Sequence, residues 1–375
     1  MGAESQKTHF ITGIDDSGGT AELFEFDGRP KGLTGPPIAG AAMVTVREDL
    51  QQQFEASWSR LRVRIQEELG LTTPPPVHLR WMWGTNKPDE HKNPYYQAGA
   101  SNDQVARWLR SACDLLLRFQ ARRCQFGMQS TTIPRESIQR DLGLYYQKDE
   151  WKIERRYLAS KAAAKGFYRA YHSVTALPII RILPVVAWRL DRVIRACGGR
   201  SNSILVDAFT GTDGAGAPEV LRAARSMAEL ESVQEIKVVE SYSESSLVQA
   251  ADLVAWSVNR LLTLELHNER DPPFERVFGE LLQNGRSPNG TKLLAPYKID
   301  SEVLSQITCI VYALARGAAG KIDQKFVDEN LVSVEEFHER ATAPGFESRT
   351  GVSVLNKVGQ QRAKEHYQRM TGPQS

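Results

Sequence analysis

The chain has 375 residues, of which 41% are hydrophobic and 25% are charged, and its 47 basic and 45 acidic side chains leave a formal net charge of +2. These values are typical of an ordinary soluble globular protein, and a chain of this length needs neither disulfides nor a structural metal to form a core. The small net charge excludes neither nucleic-acid nor small-molecule partners, because binding depends on local patches of charge.

Targeting and cysteine patterns indicate an intracellular protein. No stretch approaches the roughly 20 apolar residues of a membrane helix, and the start of the chain lacks an apolar core of signal-peptide length. The cysteines form neither a CxxC pair nor a zinc spacing. We therefore expect reduced thiols, a cytoplasmic location and no membrane partner. The four cysteines are Cys113, Cys124, Cys197 and Cys309.

The first 83 residues alternate between apolar runs and one long helix. The runs Phe10–Asp15 and Ile38–Val46 predict buried strands, and 77–83 predicts a third strand with its two tryptophans on one face. Between the second and third strands, Asp49 is placed to cap a helix that ends at Gly70. That helix is indicated by apolar residues at helical spacing, namely Phe54, Trp58, Leu61 and Ile65.

The middle of the chain continues the alternation of helices and strands, which predicts an α/β domain over residues 9–267. Past His267 the alternation stops, and Pro272-Pro273 marks a boundary before a helical extension over 268–375. The predicted elements are a helix from Ser101 or Asn102, a strand over 124–133, a helix over 182–196, a strand over 203–207, a helix over 218–230, a strand over 236–240 and a helix over 245–264; in the extension they are helices over 302–315 and 352–369.

Acidic residues follow several of these strands or lie on the next helix. They are Asp15 with Asp16, Asp207, Glu240 and Asp252. Gathered carboxylates repel one another, and burying them is costly unless a divalent cation compensates their charge. Two-metal phosphoryl-transfer sites are built from Asp and Glu for this reason, since hard oxygen ligands suit Mg²⁺ and Mn²⁺. For any one aspartate alone, a cap or a turn is an equally good interpretation.

The helix that carries Asp252 has a second polar residue on the same face. Gln249 precedes Asp252 by three residues, so both side chains project from one side of the helix. The neighbouring Val248, Ala251 and Ala255 can pack inward.

Two motifs carry a resemblance to a known family. The segment 13–18, GIDDSG, is similar to YIDESG, and 239–241 followed by 249–253, VES and QAADL, is similar to a strand ending in an acidic residue and Ser before a QxADL helix. Both are signatures of domain-of-unknown-function family 3800, whose fold is related to ribonuclease H. The family also has a strand ending in Asp, matched by 204–207, and an EIHA-like segment, partly matched by 77–79. The chain departs from the pattern at Val77, where the family often has Glu, and at Tyr242, where a basic residue is usual.

The resemblance covers roughly residues 9–265 and implies a ribonuclease H-like mixed sheet flanked by helices over the α/β domain, while the region after 267 matches nothing in the family. Such a sheet places an Asp of the first strand beside an Asp that ends the fourth strand and a carboxylate from a late helix. It thereby implies Asp15, Asp207 and Asp252 as catalytic residues and ligands of Mg²⁺ or Mn²⁺. The supporting groups would be Asp16, Glu240, His78 and Gln249.

A basic helical stripe suggests a polyanionic partner. Lys161, Lys165 and Arg169 recur every four residues with tyrosines nearby, a pattern that could follow a phosphate backbone. A solvated helix face is the plainer interpretation of such a stripe. We therefore predict nucleic acid as a partner, with these three residues as its contacts, on the strength of the stripe together with the acidic residues.

These observations lead to a primary hypothesis and two alternatives. The primary one is a metal-dependent phosphodiester hydrolase, a nuclease, in which water attacks a phosphodiester in line. The first alternative is a non-catalytic nucleic-acid or protein binding module of the same fold, and the second is an enzyme acting on a small phosphorylated metabolite. The extension over 268–375 could support a homo-oligomer, a substrate lid or docking of a protein partner.

Overall fold

A computed structural model of the chain describes residues 8–18, 37–83, 92–122, 124–135, 178–207, 221, 230–239 and 245–284. The helix predicted over 218–230 lies almost entirely outside these ranges, and the two helices predicted in the extension lie wholly outside them. Within the described ranges the chain forms five strands and seven helices.

Five strands form one mixed sheet. Its order is β3-β2-β1-β4-β5, in which β2 runs antiparallel to both of its neighbours and β1, β4 and β5 run parallel to one another. β1 and β2 are largely buried because they lie in the middle of the sheet with helices on their faces. The strands are β1 His9–Ser17, β2 Ile38–Arg47, β3 Phe126–Pro134, β4 Ser201–Asp207 and β5 Val233–Val239.

Helices cover both faces of this sheet. Within the described ranges they are α1 Glu48–Leu69, α2 Leu79–Met82, α3 Pro94–Gln97, α4 Asn102–Gln120, α5 Pro178–Ala196, α6 Ser246–His267 and α7 Pro272–Asn284. Helices α1, α4, α6 and α7 share one core with the side chains of Ala42, Val44 and Val46. Helix α5 lies on the opposite face, where the Arg189 guanidinium donates to Thr131 Oγ1 of β3 at 2.9 Å. The molecule is therefore an α/β protein with a mixed sheet between two helical layers.

Most predicted elements are confirmed to within a few residues, and two details are wrong. Helix α1 begins at Glu48 rather than after a cap at Asp49, and its first-turn Asp49 carboxylate instead accepts two hydrogen bonds from the Arg47 guanidinium. The predicted strand over 77–83 is an extended approach followed by the short helix α2. Ser101 caps α4 as predicted, in a reciprocal capping box with Gln104.

Helix α7 packs onto the same core as the helices before it. Its apolar face contributes Phe274, Val277 and Phe278 to the cluster that includes α4 and α6. The division of the chain after residue 267 stays a prediction, since residues 285–375 lie outside the described ranges. In the described part of the chain, no helix combines the length and the apolar character needed to cross a bilayer.

Two thiols meet at the end of the sheet where β3 and β4 begin. Cys124 immediately precedes the β3 region and is exposed, whereas Cys197 follows α5 and is partly buried. Burial and a hydrogen bond with Cys124 raise the pKa of Cys197 to about 11. Cys124 and Cys197 are both free thiols.

Candidate functional site

Two of the predicted carboxylates lie at the ends of neighbouring strands. Ile14 of β1 pairs with Val206 of β4 in a parallel ladder, so the next residues, Asp15 and Asp207, follow side by side. Residues in register on parallel strands point to the same face of a sheet. The Asp15 side chain is buried and Asp207 is partly exposed. The carboxyl ends of β1 and β4 therefore bring these two carboxylates together.

Helix α6 lies directly against the strand that carries Asp15. A Cβ built on Gly13 would lie 2.6 Å from the backbone nitrogen of Val248 and still closer to the carbonyl group of Leu247. Only a residue without a side chain permits this approach of helix to strand. Asp252 lies just over one turn beyond Leu247 on α6 and is 6% exposed. The close crossing at Gly13 is what carries Asp252 to the end of β1.

The resulting cluster, Asp15, Asp16, Asp207 and Asp252, is electrostatically strained. Burial is the largest cause that raises the pKa of Asp15 well above its ordinary value, followed by repulsion from Asp252, Asp16 and Asp207 in that order. The backbone N–H of Asp16 donates to Asp15 Oδ1 at 2.7 Å and opposes this rise. The other three carboxyl groups are thus each close enough to act on Asp15, and we call the four residues the carboxylate cluster.

The Asp252 carboxylate is oriented through one of its two oxygens. Oδ2 accepts a hydrogen bond from the backbone N–H of Leu79 at 2.8 Å and lies 3.2 Å from His78 Nδ1. The His78 ring in turn packs edge-on against Trp81, with centroids 5.0 Å apart. No hydrogen bond to Oδ1 is formed among the described residues. His78 and the Leu79 N–H therefore both lie at the same oxygen of Asp252, and the supporting role of His78 stays a prediction.

Gln249 holds the segment before α2 against α6. Its side chain is fully buried, and Oε1 accepts hydrogen bonds from Trp58 Nε1 at 3.0 Å and from the backbone N–H of Val77 at 2.9 Å. Gln249 and Asp252 thus bind alternate N–H groups, those of Val77 and Leu79, on one extended segment. The Val77 side chain lies in the core and contributes packing. This is the position at which domain-of-unknown-function family 3800 often has Glu.

An aromatic group fixes the other end of α2. The ring of Trp83 packs against Trp256 of α6 and against Phe274 and Phe278 of α7, with centroids 5.5–6.4 Å apart. The prediction that Trp81 and Trp83 share a strand face is wrong, because α2 turns the chain between them. A spacing of two residues is typical of one strand face, which explains the wrong prediction. In the structure Trp81 packs on His78, and Trp83 packs on the aromatic residues of α6 and α7.

The donor atoms of the carboxylate cluster suit a divalent cation. They are hard carboxylate oxygens, the ligand type that Mg²⁺ and Mn²⁺ prefer. A bound cation would compensate the negative charge that makes these groups repel Asp15. Within the described ranges, however, no three His, Cys, Asp or Glu side chains are arranged to hold a single ion. The cluster therefore fits a cation in its donor atoms and its charge. Its carboxylate side chains would have to move closer together to coordinate one ion.

The remaining predicted contacts are not placed by the structure. Glu240, Lys161, Lys165 and Arg169 lie outside the described residues. The backbone contact at Gly13 and the buried hydrogen bonds of Gln249 were not anticipated from the sequence. A glycine within a strand run signals close approach of another backbone, and a Gln within an apolar helical run signals a buried partner. Both signals are present in the sequence.

Comparisons with protein-family models, with curated proteins and with solved structures gave no match to this chain. The resemblance to domain-of-unknown-function family 3800 therefore rests on the motifs that carry it.

Proposed function

We propose that this protein is a divalent-metal-dependent phosphodiester hydrolase, a nuclease, with a ribonuclease H-like fold. The observation that carries the proposal is the carboxylate cluster, in which a buried Asp15 is repelled by Asp16, Asp207 and Asp252. Such a concentration of negative charge is costly to a folded protein unless a cation binds there. A purely structural role would be served better by uncharged side chains.

The proposed fold is supported by where the three principal aspartates lie. Asp15 is on the first strand, Asp207 ends the adjacent fourth strand, and Asp252 comes from a later helix that crosses the first strand. This is the arrangement that the resemblance implies for a ribonuclease H-like sheet. Fold alone is weak evidence for a reaction, so the reaction is argued from the carboxylates.

In the proposed mechanism Asp15, Asp207 and Asp252 would hold Mg²⁺ or Mn²⁺. When bound, the metal would activate water for in-line attack on a phosphodiester and offset the negative charge that develops. Hydrogen bonds within the chain already orient two of these carboxylates. Leu79 N–H and His78 hold Oδ2 of Asp252, which leaves Oδ1 directed by neither, and the Asp16 N–H holds Oδ1 of Asp15.

Purified full-length protein offered labelled RNA, DNA, hybrids and nucleotides tests the proposal. We expect cleavage that requires Mg²⁺ or Mn²⁺ and that falls at least about 100-fold in Asp15→Asn and in Asp252→Asn, a loss of about 2.7 kcal/mol in transition-state stabilisation. Asp103→Asn, at an exposed position in the first turn of α4, is the matched control and should cleave as the wild type does. Activity that survives both cluster variants would contradict the proposal.

A non-catalytic binding module is the second candidate, and one observation favours it. The Asp252 carboxylate already serves the Leu79 N–H, and no described trio of side chains is arranged to hold an ion. Calorimetric titration with Mn²⁺ separates the two candidates. Binding that is lost in both Asp15→Asn and Asp252→Asn supports the enzyme, whereas no cluster-dependent binding supports the module.

A further inference from the structure

A groove of about 820 Å³ runs between helices α1 and α4. Its floor is formed by Leu61, Leu115 and Phe119, which are buried in the core beneath it. No residue that lines the groove belongs to the carboxylate cluster. The groove is thus a second concave surface, built on two long helices rather than on loops.

The walls of the groove carry two pairs of arginines. Arg60 and Arg64 come from α1, Arg118 lies in the last turn of α4 and Arg122 lies two residues past its end, and among the described lining residues the one acidic side chain is Asp114. Arg60 and Arg64 have i,i+4 spacing within α1, which places their side chains about 5–6 Å apart along one helix face. Two rows of positive charge therefore face each other across an apolar floor.

Most of these arginines are held by neutral oxygens. Among the described residues, Arg60, Arg118 and Arg122 form no ion pair, and Arg64 lies 4.0 Å from Glu68. Arg122 also stands over the Phe119 ring, 5.1 Å from its centroid. The three acceptors are Ser57 Oγ for Arg60 at 3.1 Å, the Asp114 carbonyl for Arg118 at 3.3 Å, and Gln53 Oε1 for Arg122 at 2.7 Å. Three of the four guanidinium groups are therefore held by neutral acceptors, and within the described part of the chain no carboxylate pairs with them.

We propose that this groove binds the phosphate backbone of a nucleic-acid strand. The planar guanidinium donates two parallel hydrogen bonds to a phosphate, and its charge displaces the counterions of a polyanion. A membrane surface fits less well. Proteins that bind membranes insert exposed apolar side chains, whereas the apolar residues here form a buried floor. The inference adds a binding surface to the proposed function but does not rest on it, because binding needs no catalysis.

Fluorescence anisotropy with labelled single-stranded RNA and DNA of about 20 nucleotides tests the groove. The full chain is titrated in a chelator, which prevents metal-dependent cleavage, at several salt concentrations. We expect Arg60→Gln combined with Arg118→Gln to weaken binding at least about tenfold. We also expect the slope of log affinity against log salt to become shallower by about 1.4, which is 0.7 for each lost phosphate contact on a single strand.

The control removes the same charge elsewhere. Arg200→Gln combined with Arg276→Gln changes two exposed arginines outside the groove and should keep affinity within about twofold of the wild type. Equal losses in the two double variants, or no binding by the wild type, would overturn the assignment. So would displacement by polyglutamate as readily as by unlabelled oligonucleotide, which would assign the groove to an acidic polypeptide. Binding without metal-dependent cleavage would leave the groove assigned and overturn only the hydrolase.

Discussion

At the scale of single residues, the surroundings of Asp15 disfavour its charged form. Its carboxyl group is buried beside three others, and burial together with their repulsion raises its pKa. A raised carboxyl pKa means that the folded state holds the proton more tightly than the unfolded state does. The contribution of Asp15 to the free energy of unfolding therefore falls as pH rises from the ordinary pKa of Asp through the raised one.

Replacing Asp15 should for this reason stabilise the protein when no metal is present. In a chelator at pH 7, we expect Asp15→Asn to raise Tm by about 2–4 °C, the shift that roughly 1 kcal/mol produces in a large domain. The gain should shrink as pH is lowered, because the wild-type carboxyl group then becomes protonated. Thermal scans by circular dichroism across this pH range measure both effects.

Asp103→Asn again serves as the control, and it should leave Tm within about 1 °C because an exposed substitution has little effect. An Asp15→Asn variant that is less stable than the wild type at pH 7 in the chelator would contradict the electrostatic account of the cluster.

At the scale of elements, sequence periodicity predicted the strands and long helices but not how they touch. The α4 cap at Ser101 is read directly from local sequence because its partners lie within one turn. Helix α2 could not be predicted in this way. Its first N–H is bound by Asp252, more than 170 residues away in sequence, and the alternation of Trp81 and Trp83 imitates a strand. Local patterns fail where a distant side chain decides the conformation.

The residues of the candidate site likewise fall into those that local sequence predicts and those that it does not. The aspartates at strand ends could be singled out from the sequence, because the carboxyl ends of parallel strands meet at one edge of a sheet. The binding of Gln249 to Trp58 and Val77 could not, because it depends on the packing of α1 and α6. The candidate carboxylates were therefore more predictable from the sequence than the residues that position them.

The contact between α6 and β1 gives a test at this scale. We expect Gly13→Ala to destabilise the protein by about 1–3 kcal/mol or more, because the new methyl group meets backbone atoms of Leu247 and Val248 that cannot move alone. Displacing α6 should also separate Asp252 from Asp15 and weaken Mn²⁺ binding. Denaturant unfolding and calorimetry measure the two effects.

Gly127→Ala is the matched control for this substitution. Gly127 lies on β3 in the same sheet, and a Cβ there would have no heavy atom within 4 Å. We expect stability and Mn²⁺ binding close to those of the wild type. Equal effects of the two substitutions would show that the helix crossing does not position the site.

At the scale of the whole molecule, a net charge of +2 conceals two opposite concentrations of charge. The carboxylate cluster lies at one end of the central strands, and the arginine groove lies between two helices of the layer above the sheet. They share a core but no residues. Their ligands should therefore respond to separate substitutions.

This separation predicts a double dissociation. Arg60→Gln combined with Arg118→Gln should keep the increase in Tm that Mn²⁺ gives the wild type, while losing oligonucleotide affinity about tenfold. Asp15→Asn should lose the Mn²⁺ effect and keep the salt dependence of oligonucleotide binding. Thermal scans and anisotropy on the same preparations measure both. Loss of both properties in either variant would contradict the independence of the two surfaces.

The backbone contact at Gly13 also bears on how this protein could be re-engineered or could diverge. Because main-chain atoms set the separation of α6 from β1, changes in core side-chain volume have little means of adjusting the span between Asp15 and Asp252. In the proposed enzyme, a library intended to alter metal preference would therefore vary the cluster and His78. Libraries that repack the surrounding core would mainly change the stability of the protein. The distance between Asp15 and Asp252 should therefore persist through most substitutions in the hydrophobic core.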